Sequence, residues 1–143
     1  MILRKGIESD LKNVLNIEVM AYEKPYWNQN MLLEVLANKT DKRLWVYEVD
    51  NDVVGFIIDM RHKDEISILN IAIHKCLQGM GHGLKMLKKY IKSLQGKYSI
   101  YLEVNKNNIK ALNMYTKLNF ERLSIRKSYY TDGGDAINMQ LVK

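Results

Sequence analysis

The chain has 143 residues, 47% of them apolar and 27% charged, with a net charge of +6 and one cysteine, Cys76. That length suits one domain, read as 1–143, and no apolar run approaches the roughly 20 residues a membrane-spanning helix needs. Charges at Arg4 and Lys5 argue against an export signal, and a lone cysteine forms no internal disulfide, so a cytoplasmic protein is expected. The positive charge points to an anionic partner without choosing among nucleic acid, acidic protein and a phosphorylated cofactor.

Ile2 to Lys5 reads as a short first strand. Ser9 is placed to cap the helix that follows, in which Leu11, Val14, Leu15, Glu18 and Val19 recur in helical rhythm. Pro25, the only proline, predicts an aromatic loop with Tyr26 and Trp27, then a second helix from Gln29 to Ala37. Leu44–Val49 and Val53–Ile58 flank the turn chemistry of Asp50-Asn51-Asp52 and predict a hairpin. Glu65 to Ile73 is a further strand, and Gly79, Gly81 and Gly83 open into a helix with apolar Leu84, Leu87 and Ile91. Its Lys85, Lys88, Lys89 and Lys92 read first as a solvated face and second as a binding surface. Beyond Gly96, Tyr98–Val104 is strand-like, Asn108–Leu118 helical, and Phe120–Tyr130 and Ala136–Val142 form a closing strand pair around Asp132-Gly133-Gly134. The order β-α-α-β-β-β-α-β-α-β-β predicts an α/β (α+β) fold, a mixed sheet with helices packed on it.

A glycine cluster between a buried strand and a helix suits an anion. The first N–H groups of a helix lack internal partners, the helix dipole favours negative charge, and glycine lets a phosphate approach the backbone. No Lys-Ser or Lys-Thr follows Gly83, which excludes a Walker A loop, and the preceding hairpins do not suit a dinucleotide fold.

Gln78-Gly79-Met80-Gly81-His82-Gly83 resembles the Gln/Arg-x-x-Gly-x-Gly/Ala pyrophosphate loop of the GNAT superfamily. Ile71-Ala72-Ile73 resembles the strand that holds the pantetheine arm there, and Asn108-x-x-Ala111-x-x-x-Tyr115-x-x-x-x-Phe120 its second cofactor segment. Asn119 stands where glycine is usual and Lys75 where proline is common; asparagine tolerates a left-handed helix end. Leu102-Glu103-Val104, the Arg126–Tyr130 and Asp135–Met139 segments, and Pro25-Tyr26-Trp27 are similar to the ribosomal-protein-alanine N-acetyltransferases (RimI type) and archaeal protein N-terminal acetyltransferases.

The resemblance implies a mostly antiparallel sheet of about seven strands with about four helices, and acetyl-CoA as cosubstrate. It places the cofactor at Ile71, Ala72, Ile73, Gln78, Gly79, Met80, Gly81, His82, Gly83, Asn108 and Tyr115. The implied acceptor is a protein N-terminus, such as that of a ribosomal protein, touched by Pro25, Tyr26, Trp27, Tyr129 and Tyr130. A monomer or weak dimer is expected, without metal, membrane or direct nucleic-acid binding.

Acetyl transfer needs a neutral amine, so Glu103 is the candidate base, with burial expected to raise its pKa; the alternative is a strand-end ion pair. Tyr115 is the candidate proton donor to the departing thiolate, and otherwise a core tyrosine. A backbone N–H near Ile71–Ile73 would stabilise the tetrahedral oxyanion. His82 reads as a loop residue lending charge. Tyr129 and Tyr130 read either as a strand-edge pair or as a groove wall. Cys76 has no evident activating partner, and His62, His74 and His82 lack metal-site spacing. Two competing readings stay open: a GNAT enzyme for a small amine (polyamine, aminoglycoside) or a lysine side chain, and a basic RNA- or ribosome-binding module.

Overall fold

The computed structural model describes residues 1–21, 26–37 and 40–143. These form seven strands and four α-helices: β1 (Ile2–Lys5), α1 (Leu11–Ala21), α2 (Gln29–Leu36), β2 (Lys42–Val49), β3 (Asp52–His62), β4 (Glu65–Ile73), α3 (His82–Ser93), β5 (Ser99–Asn105), α4 (Ile109–Lys117), β6 (Glu121–Arg126) and β7 (Ala136–Val142). Short 3₁₀ turns precede α1 and α3. The element order matches the one expected from sequence. Pro25 lies outside the described residues.

The strands form one sheet in the order β1-β2-β3-β4-β5-β7-β6. Only β4 and β5 run parallel, because α3 carries the chain across between them. Asp50 (φ 52°) and Asn51 (φ 69°) are both left-handed, the geometry that matches a two-residue hairpin turn to strand twist.

Each face of the sheet has its own apolar core. On one, Met86, Leu87 and Tyr90 of α3 and Leu112 and Tyr115 of α4 meet Ile57, Ile66, Ile100, Leu102, Val104, Ile137 and Met139. On the other, Leu11, Val14 and Ile17 of α1 and Leu32 and Val35 of α2 cover Leu44, Val46, Phe56, Ile58 and Ala72, which belong to β2, β3 and β4. This second cluster contains no residue of β5, β6 or β7, so that face of those strands carries Tyr101, Glu103, Asn138 and Gln140 instead. The lysines of α3 are exposed, as the solvated-face reading expects.

Buried carboxylates tie helices to strands. Asp59 of β3 is fully buried, accepts from the Tyr90 hydroxyl at 2.5 Å and from Trp45 Nε1 at 3.2 Å, and lies 3.6 Å from Arg61 Nε. Burial first, and the Asp59 charge second, push the Tyr90 phenol far up, so it remains a donor. At the start of α1, Ser9 lies within the 3₁₀ turn Glu8–Asp10, and Asp10 makes the closing bonds in place of the expected Ser9 cap. Its carboxylate takes Arg4 in a two-pronged pair (2.8 and 2.9 Å) and the Ile7 N–H at 2.8 Å. An acceptor at the third position of the turn serves the Ile7 N–H, which the Ser9 hydroxyl does not.

The Arg4 hydrogen bonds, helped by the Ile7 N–H, hold the Asp10 carboxyl below the usual carboxylate range. A depressed folded-state pKa gives stability that is present above the ordinary carboxylate value and lost as pH falls through the folded one. Asp10→Asn should therefore lower the thermal midpoint at pH 7 by roughly 3–8 °C. The gap to wild type should close between about pH 5 and about pH 2. A gap that stays constant across that range in thermal melts contradicts this account.

Candidate active site

The site begins where β4 and β5 separate. They pair for only three positions, Glu65↔Ser99, Ile66↔Ile100 and Ser67↔Tyr101. Beyond them β4 continues along β3 to Ile73, while β5 continues along β7 to Asn105. The facing edges from Ile68 and Leu102 onward are not joined to each other, which opens a wedge in the middle of the sheet. A bulge at Leu69 marks the parting: Asp59 pairs with Ile68 and Ile58 with Asn70, so Leu69 is the extra residue.

The glycine loop sits at the far end of β4. Gln78 Nε2 donates to the Ile73 carbonyl at 3.0 Å and ties the loop back to the strand. Gly79 and Gly81 both have φ +81° with open space where a Cβ would stand, so backbone conformation rather than crowding demands glycine there. Gly83 differs: a Cβ would come 3.1 Å from Met114 Sδ of α4, and its absence lets α3 and α4 pack closely. Gly81 is the N-cap of α3 and offers no side-chain cap, and no acidic residue lies in the first turn. The first intrahelical bond is Lys85 N–H to the Gly81 carbonyl, which leaves the N–H groups of His82, Gly83 and Leu84 as a positive helix end. Met80 is exposed between the glycines. His82 is not a loop residue, as expected from sequence, but the first residue of α3. Its Nδ1 lies 3.2 Å from the hydroxyl of buried Tyr47, because the left-handed Gly81 turns the chain into the helix two residues early.

In the segment expected to meet the cofactor, Asn108 is the N-cap of α4, accepting from Ala111 N–H at 3.3 Å, so the helix starts one residue later than expected. Tyr115 is buried on α4, its ring 5.8 Å from that of Phe120. Asn119 takes the left-handed conformation expected of it, φ 71°.

Glu103 lies on the uncovered face of β5, opposite Asn138 of β7. The expected burial is not found: its side chain is 32% exposed and 3.5 Å from Arg126 Nη2, because α1 and α2 stop short of this strand. The ion pair foreseen as the alternative is thus present, loosely and in solvent. Around Glu103 stand Tyr129 and Tyr130, whose rings meet edge to face at 5.2 Å, with the Arg126 guanidinium 5.4 Å from the Tyr129 ring. Burial, and then the Glu103 charge, push the Tyr130 phenol up, so it stays a neutral donor beside the carboxylate.

The two tyrosines follow β6 rather than lying in it. That strand ends at Arg126, four residues short of the expected Tyr130, because Ser128 turns left-handed (φ 49°) and gives its N–H to Asp135 at 2.9 Å. The loop is held further by Asp132, which accepts from Gly134 N–H at 2.8 Å and from Asn105 Nδ2 at 3.1 and 3.2 Å. From the other side Tyr26 is 74% exposed, while Trp27 turns inward and packs in the α1/α2 core. Among the described residues no cluster of three metal-ligating side chains occurs, and no helix is long and apolar enough to cross a membrane.

The wedge between the parting strands, the α3 end with no acidic residue in its first turn and the Glu103 carboxylate on an open face make up the candidate site. Residues 11–120 match the model of the Acetyltransferase (GNAT) family, and the chain belongs to that family of N-acetyltransferases. It is 32% identical over 142 residues to an uncharacterized N-acetyltransferase of Methanocaldococcus jannaschii, covering 97% of this chain and 90% of that one. It is 31% identical over 127 residues to the [ribosomal protein bS18]-alanine N-acetyltransferase of Haemophilus ducreyi, covering 87% and 85%. The crystal structure of the ribosomal-protein-S18-alanine N-acetyltransferase from Escherichia coli superposes with a TM-score of 0.88 at 28% identity, covering 99% of this chain and 92% of that one.

Removing the Asn105 amide should free the 127–135 loop without disturbing the core. Asn105→Ala is expected to be cut by trypsin after Lys127 several-fold faster than wild type, with the thermal midpoint nearly unchanged. Equal cleavage rates, read by mass spectrometry, contradict this role for Asn105.

Proposed function

We propose that this enzyme transfers the acetyl group of acetyl-CoA to the α-amino group of a protein N-terminus by direct attack. The observation that carries the reading is the wedge between β4 and β5, with Glu103 beside it on a face that no helix covers. An extended pantetheine chain, with its two amides, suits addition to the exposed edge of β4 at Ile71–Ile73 in the manner of an extra strand. The pyrophosphate then falls to the N–H groups of Gly79–Gly83 and the start of α3. In this reading Tyr26, Tyr129 and Tyr130 wall the acceptor groove, and the exposed rings of Tyr26 and Tyr129 are available to an incoming polypeptide end. The relatives named as ribosomal-protein-alanine N-acetyltransferases support a protein acceptor.

In this reading Glu103 accepts the amine proton through a water, since its carboxylate is solvated. The neutral nitrogen attacks the thioester carbon, and the oxyanion meets backbone N–H groups of β4 near the bulge. The C–S bond breaks, the thiolate takes the Tyr115 proton, and the nitrogen gives up its second proton as the amide forms, a proton that returns through water to the Tyr115 phenolate. The Tyr130 hydroxyl stays protonated and donates to the acceptor.

Short peptides with free N-termini should be acetylated on the α-amino group, and the same peptides blocked at that group but carrying lysine should not. Acetylation confined to lysine or to small amines such as spermidine contradicts the acceptor assignment. Glu103→Gln should lower kcat by about 10²–10⁴ while acetyl-CoA affinity changes less than about twofold. Gly81→Ala should do the reverse, weakening acetyl-CoA binding by about 5–30-fold through the cost of a left-handed alanine. Calorimetry that shows unchanged affinity in Gly81→Ala removes the loop from the cofactor site.

A further inference from the structure

One fully buried charge has no part in that chemistry. Glu18 of α1 is 0% exposed, and both its oxygens are engaged. Oε1 accepts from the Tyr26 backbone N–H at 2.8 Å, and Oε2 from Asn70 Nδ2 at 2.7 Å. These partners belong to two parts of the proposed site, the Tyr26 segment and the β4 strand. Tyr26 opens the segment that leads into α2 and presents its ring to solvent. Asn70 follows the bulge residue Leu69 on β4, the strand whose edge forms the wedge. The bulge is what lets Asn70 face α1 at all. Ile68 faces the α3/α4 core, and the extra residue turns Asn70 and then Ala72 toward the α1/α2 side, where Glu18 waits.

An ionised carboxylate removed from water is costly unless hydrogen bonds replace its hydration. A neutral glutamine of the same shape could accept from Tyr26, so a mere filler of this space has no need of charge. What the carboxylate adds is two short, charge-assisted bonds that hold the two walls at one spacing.

We propose that Glu18 is a positioning residue that sets acceptor specificity: it fixes the Tyr26 wall relative to the β4 edge, and with it the width of the acceptor groove. Its two oxygens bond protein groups, and no proton transfer is assigned to it. The catalytic consequence rests on the acceptor reading proposed above; the structural tie does not.

The test therefore has two independent arms. In hydrogen–deuterium exchange, the Tyr26 amide should exchange about tenfold or more faster in Glu18→Gln than in wild type, as a charge-assisted bond weakens. In steady-state kinetics on free-N-terminal peptides, Glu18→Gln should raise the peptide KM by about tenfold and flatten the preference among first residues. The acetyl-CoA KM should stay within about twofold, since neither oxygen of Glu18 bonds to the glycine loop. Glu18→Gln places two amide NH₂ groups face to face. The exchange Glu18→Gln/Asn70→Asp restores donor to acceptor across the helix–strand pair and conserves the net charge, so it should recover the peptide KM and part of the Tyr26 protection. The swapped pair also keeps the test valid if the single variant folds poorly.

Unchanged exchange at Tyr26 overturns the tie. Peptide and acetyl-CoA KM rising together, or no rescue by the swapped pair, reduces Glu18 to general stability and overturns the specificity role. A wild-type enzyme that ignores peptide N-termini while the exchange result holds overturns the acceptor assignment and the specificity role together, leaving the tie alone.

Discussion

The site depends on one constraint: β4 and β5 are paired at their beginnings and free of each other at their ends. A parallel pair in the middle of a sheet ordinarily continues, because each unpaired backbone group left away from water costs free energy. Here β3 holds one strand and β7 the other, the bulge at Leu69 bends β4 away, and neither strand can follow its neighbour. The wedge is therefore built by the strands on either side of it. An extended ligand with its own amides can supply the missing partners, which is why a pantetheine chain suits this place better than a compact metabolite does.

Three buried carboxylates keep the elements around the wedge in position, and each joins different parts of the fold. Asp10 binds β1 to the start of α1, Asp59 binds α3 to β3, and Glu18 binds α1 to β4 and to Tyr26 in the segment that leads into α2. Such groups add little net stability, since desolvation offsets most of what their hydrogen bonds contribute. Their effect is geometric. Asp59 and Tyr90 fix where α3 lies, and so where its N-terminus points; Gln78 fixes the glycine loop to the end of β4. The glycine loop and the Tyr26 segment are thus held by different residues, Gln78 and Glu18.

The order of elements was readable because each has a local cause. Apolar periodicity gave the helices, Asp50-Asn51 the hairpin turn, and β4 and β7 begin and end where their apolar runs do. The glycine loop was readable because its demand is a backbone angle that few residues other than glycine adopt, and Asn119 for the same reason. What escaped depends on distant partners. Asp10 rather than Ser9 closes the start of α1 because Arg4 stands on the neighbouring strand. Glu18 looked like one more residue in a helical rhythm, since nothing local announces that Asn70, 52 positions away, will meet it. The exposure of Glu103 also escaped, because a strand alternating Leu102, Glu103 and Val104 shows which residues share a face but not whether a helix covers that face. Ser128 cut β6 short through a bond to Asp135 on the far side of the loop.

The central claim, that the wedge and the glycine loop form one donor site, is tested most directly by titrating ¹⁵N-labelled enzyme with coenzyme A and following backbone amide shifts. The account predicts the largest changes at Gly79–Leu84 and along Leu69–Ile73, with Tyr26 and Tyr129 little moved. Shifts concentrated elsewhere, with the glycine amides silent, would contradict it.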